Sequence, residues 1–100
     1  MIRGTTPTHT FRLSIDTGSI VELRITYDQA GKTVLEKTEA DVRKTEKSIS
    51  VVLTQEETLR FKAGYDVEVQ LKVLTDVGTV LASPVLKLQI DKILSTEVLG

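Results

Sequence analysis

The chain has 100 residues, 13 basic and 14 acidic side chains, one histidine, four aromatic rings and no cysteine. That length suits one domain with a single core, and a net charge of −1 spread over both halves lacks the basic footprint of a nucleic-acid binder. Disulfides and thiolate metal sites are excluded, and Met1 to Thr5 carries no apolar run of the kind that a signal peptide or membrane span needs.

Alternation dominates the chain from its start. Phe11, Leu13 and Ile15 alternate with Thr10, Arg12 and Ser14, which predicts a half-buried strand with His9 exposed at its beginning. Asp16 to Ser19 forms a turn, and Val21, Leu23, Ile25 and Tyr27 then alternate with Glu22, Arg24 and Thr26. Asp28-Gln29-Ala30-Gly31 has the aspartate and glycine of a hairpin turn. A short strand is expected around Asp41 to Arg43, and the polar tip Lys44 to Lys47 joins it to the run Ile49, Val51 and Leu53.

The segment from Thr54 to Val69 carries the most structural information. Thr54 and Glu57 are spaced as a capping box, which starts one helical turn, and Gly64 is placed to stop it. Tyr65 then opens a strand where immunoglobulin-like sandwiches often keep a tyrosine bonded back to the chain. Val67, Val69, Leu71 and Val73 make the cleanest alternation, and Asp76 to Gly78 is a second turn between antiparallel strands. Pro84 cannot donate to a ladder, so it belongs at an edge or a bulge. Leu81 and Val85 are out of step with Leu86, Leu88 and Ile90, as if the strand changed face there.

Several strands with one apolar face each need two sheets packed together, because a single sheet would leave that face wet. The expected fold is therefore all-β, an immunoglobulin-like antiparallel sandwich of about seven strands with one short helical turn. Residues 1–100 form one domain, with 91–100 as a candidate C-terminal assembly tail. Leu23, Ile25, Val51, Leu53, Val69 and Leu71 should be almost fully buried.

The parts needed for chemistry are sparse. A lone His9 cannot build a histidine metal site, and Asp16, Asp28, Asp76 and Asp91 lie singly at turns instead of in a calcium loop. Glu56 and Glu57 are adjacent carboxylates, but in a first helical turn they complement the helix dipole. There is no nucleophile elbow and no glycine-rich phosphate loop. The expectation is a non-enzymatic protein with no catalytic residue, no metal and no cofactor. Ile93, Leu94, Val98 and Leu99 follow the last strong strand and are the candidate interaction surface.

Taken in order, the opening strand, the hairpin closed by Asp28 to Gly31 and the run Ser48 to Thr58 resemble small prophage-encoded proteins. So do Val67 to Val73, the Asp76–Gly78 turn and Val80-Leu81-Ala82-Ser83. These proteins come from phage structural gene clusters of Gram-positive bacteria and are loosely tied to tails and baseplates. The resemblance runs from about Thr5 to about Ile90, and its most specific piece is Leu53 to Leu59 followed by Gly64. The segment Asp41 to Lys47 departs from it by being more charged. The resemblance implies a phage structural or assembly protein, made in the host bacterial cytoplasm and then incorporated into the virion. Its partners would be other virion proteins or further copies of itself, with no nucleic acid and no membrane. It brings no catalytic motif and no site residue. A glycan-binding module of the host surface and an assembly chaperone are the alternatives.

Overall fold

A computed structural model describes Met1 to Gly100 as two facing antiparallel sheets. The elements are β1 (Thr8–Arg12), β2 (Ile20–Gln29), β3 (Lys32–Thr38), β4 (Val42–Lys44) and β5 (Ser48–Val52), then α1 (Gln55–Leu59), β6 (Val67–Thr75), β7 (Val80–Ala82) and β8 (Leu86–Leu88). The first sheet has the order β1-β5-β4, and the second has β3-β2-β6 with β7 and β8 both paired to β6. This is the immunoglobulin-like arrangement, in which strands B, E and D face strands C′, C, F and G. Strand A, which would flank β1, has no counterpart among these strands.

β7 and β8 are two halves of one edge strand. Val73 pairs with Leu81 and Val69 with Leu86, so the register slips by one residue between the halves. Ser83 and Pro84 occupy the slip. The Ser83 amide donates to the Leu71 carbonyl at 2.8 Å, and its hydroxyl accepts the Leu71 amide at 3.0 Å. That side chain replaces a ladder partner beside a proline, which is why the edge survives the interruption. Counting the halves together, the sandwich has seven strands, as the sequence predicts.

The core lies between the sheets. Leu23, Ile25, Val51, Leu53, Val69 and Leu71 are all buried, together with Phe11, Tyr27, Ile49, Phe61 and Val67. At the start of β2 the pattern departs from strict alternation: Ile20 is buried and Val21 exposed. A bulge between Ile20 and Glu22, opposite Thr75 and Leu74, shifts the pleat by one residue.

The capping box forms as predicted. Thr54 Oγ1 accepts the Glu57 amide at 3.1 Å, and Glu57 Oε1 accepts the Thr54 amide at 2.9 Å. Gly64 does not end the turn, however. Helix α1 stops at Leu59, and Gly64, at φ +86°, lies five residues later, donating its amide to Ile90. The tyrosine corner is also absent. Tyr65 is exposed and its hydroxyl bonds to nothing in the chain. Buried Gln29 holds this corner instead. Its Nε2 donates to the carbonyls of Lys62 at 2.7 Å and Tyr65 at 3.1 Å, while its Oε1 accepts the Lys62 amide at 2.7 Å. No helix is long and apolar enough to cross a membrane.

Candidate interaction surface

Two pairs of titratable side chains draw together in the interior of the domain. His9 lies two residues before Phe11 on the same inward face of β1, opposite Val51, and it is half-buried instead of exposed. Its Nδ1 is 2.7 Å from the hydroxyl of Tyr27, which is fully buried on β2. Burial first, then the nearby N-terminal ammonium, lowers the imidazole pKa. Burial and the Glu57 carboxylate hold the Tyr27 hydroxyl protonated far above its ordinary range. A neutral imidazole with its proton on Nε2 then accepts from a tyrosine that donates.

Beside this pair, Lys37 Nζ meets Glu57 Oε2 at 2.6 Å, with both side chains largely shielded from water. Lys37 sits inward on β3, opposite Ile25, one step along from buried Leu35. Burial is the largest influence on Glu57 and would raise its pKa. The bonds from Lys37 and from the Thr54 amide, with the lysine's charge, outweigh it, and the carboxyl ends below its ordinary value. The Lys37–Glu57 pair ties α1 to the second sheet, and the His9–Tyr27 bond ties the first sheet to the second. Tyr27 has no exposed surface, so no substrate reaches it, and its role is structural.

The apolar surface is elsewhere, in two places. The first is the C-terminal segment. Its base is held where Ile2 and Asp91 form a parallel bridge, with the Arg3 amide donating to Asp91 and the Asp91 amide to Met1. Ile93 is half-buried near Gly4 and Leu59, because a Cβ on Gly4 would lie 3.4 Å from one Ile93 methyl and 3.3 Å from a Leu59 methyl. Gln55 clasps the far end, its Nε2 donating to the Leu99 carbonyl at 2.7 Å and its Oε1 accepting the Leu99 amide at 2.9 Å. Between these points the apolar side chains are open: Leu94 is 95% exposed, Leu99 73% and Val98 41%. Of the four residues singled out in the sequence, Ile93 is therefore partly used by the domain itself and three face solvent.

The second place is the seam between β1 and β7. Leu81 and Leu86 point to the inner side of their sheet, since they pair opposite buried Val73 and Val69, yet they are 41% and 49% exposed. The reason is the unequal width of the sheets: nothing stands beyond β1 to cover them. A groove of about 290 Å³ runs there, with Leu71 and Val73 among its lining residues and Leu13, Ile15, Leu81 and Pro84 on its walls. Arg12 lies in the same lining, and a neighbouring hollow shares Arg12 and adds Lys47; neither contains an acid. Sequence reasoning missed this seam. The signal was the phase slip at Pro84, which shows where the edge breaks but not what faces it.

Tyr65 is the one exposed aromatic ring, so no pair of rings is presented for stacking on a sugar. No protein-family model matches the chain, and no curated protein is similar to it. Among solved structures, the V domain of amphioxus IgVJ-C2 aligns over 93% of this chain and 97% of that one, at 11% identity and a TM-score of 0.39. The immunoglobulin-like assignment stands on strand order and not on that likeness.

Proposed function

We propose that this chain is a non-enzymatic structural or assembly module of a phage particle, acting through protein–protein surfaces. The observation that carries the reading is the open seam, where inward-facing leucines stay exposed at a free strand edge. Monomeric proteins seldom leave such an edge uncovered, because it invites pairing with another chain. The resemblance of Leu53 to Leu59, with the strands around it, to small prophage-encoded structural proteins supports placement in a tail or baseplate. Synthesis in the host cytoplasm followed by incorporation into the virion goes with this role.

The test is to induce the prophage in the source strain, band the particles by density and probe them for this chain. The expected result is its presence with the tail proteins at a fixed ratio. Intact particles that lack it overturn the reading.

A further inference from the structure

We propose that the seam beside β1 receives the C-terminal residues Leu94 to Leu99 of a second copy as an added strand. The proposal rests on the interaction-module reading above and names its partner. An extended chain laid along the free edge of β1 would widen the first sheet from three strands to four, matching the second sheet. Main-chain hydrogen bonds would hold it, and alternate side chains would enter the seam. The C-terminal segment has the required pattern: Leu94, Thr96 and Val98 alternate with Ser95 and Glu97. These residues form no strand at their own position, and Leu94 is almost wholly in solvent there.

Charge selects the same occupant. With Leu94 and Val98 turned inward over Leu81 and Leu86, Glu97 falls on the outer face, where Arg12 projects from β1. Arg12 and Lys47 line the two hollows at the seam, neither of which is lined by an acid, and Glu97 is the one charged residue from Ile93 to Leu99. A molecule's own segment is kept out by the N-terminus. Met1 and Ile2 already lie along Gln89 to Asp91, where a tight reversal of the chain would have to form, and Gln55 draws the segment across α1 instead. Docking into a second copy requires release of the two Gln55–Leu99 bonds and leaves Ile93 near its base. Donor and acceptor are different surfaces, so each copy keeps one of each. The exchange either closes reciprocally in a two-fold dimer or runs head to tail into a ring or a filament.

Sedimentation of the full chain tests the contact, over about 1 to 500 μM, a range that brackets weak protein contacts. The expected result is association, to a dimer or beyond, that rises with concentration. Glu97→Arg and Arg12→Glu should each weaken it roughly 5- to 10-fold, as reversal of one partner of an interfacial pair does, and the double reversal should restore most of the loss. Both side chains lie on the surface, and unchanged circular dichroism and melting confirm that the variants fold. Leu94→Asp should abolish association in the same folded background. A chain that stays monomeric throughout overturns the proposal, as does association that ignores both single reversals. If such a chain is still found in banded particles, the assembly reading stands and only this contact falls.

Discussion

The burial of His9 beside Tyr27 sets one step in the acid stability of this domain. The folded imidazole has a lowered pKa, so the unfolded chain binds a proton at a pH where the folded one does not. Stability is therefore complete above about pH 6.5, the ordinary histidine value, and is lost as pH falls from there towards the lower folded value. Glu57 adds a second window. Its folded pKa is also depressed, so its contribution is present above the ordinary value of 4.5 and disappears as pH drops through the folded one. Calorimetric melting from about pH 8 to about pH 2 should thus show a two-stage fall. His9→Gln cannot titrate and should remove the upper stage alone. Tyr27→Phe should cost roughly 0.5–1.5 kcal/mol, one net hydrogen bond, whereas Tyr65→Phe should be close to neutral because that hydroxyl has no partner.

At the scale of the element, the β2–β3 hairpin carries a local conflict. Gln29 pairs with Lys32, leaving Ala30 and Gly31 as a two-residue loop at φ +53° and +76°. Two successive positive φ angles identify a type I′ turn, whose handedness matches the twist of its strands. Glycine adopts that region freely, but Ala30 is the one residue with a side chain held there. Ala30→Asn supplies the preferred Asn-Gly pair and should stabilise the domain by about 0.5–1 kcal/mol in urea denaturation. A destabilisation would mean that the methyl group serves a contact of its own. The turn was legible in the sequence as an aspartate-to-glycine stretch, but its type was not. A bulge between Tyr27 and Asp28 sets how the two strands meet, and the same offset turns Lys37 inward.

For the molecule as a whole, the two classes of leucine should behave in opposite ways. Leu71 is almost fully buried between the sheets, and Leu71→Ala should cost about 2–5 kcal/mol, the range for emptying a packed leucine site. Leu94→Ala should change monomer stability by less than about 0.5 kcal/mol, because that side chain contributes little to the core. Denaturation of both variants checks the division between residues that build the sandwich and those left for a partner. A large loss at Leu94 would place the C-terminal segment inside the domain.

Period-two alternation by itself determined the strands, the two-sheet architecture and the central core. Each inward position in Val67 to Val73 had to be covered, and only a facing sheet covers them. The spacing of Thr54 and Glu57 likewise determined the helical turn, since a capping box needs only local geometry. Tertiary structure decided everything that depends on register and on sheet width. It set His9 beneath Tyr27, brought Lys37 to Glu57, gave Gln29 the corner expected of Tyr65, and left Leu81 and Leu86 uncovered. Each of these depends on what stands opposite a residue across a strand pair or across the sandwich. One bulge changes that partner, and one missing strand removes it, while the local pattern of the chain stays the same.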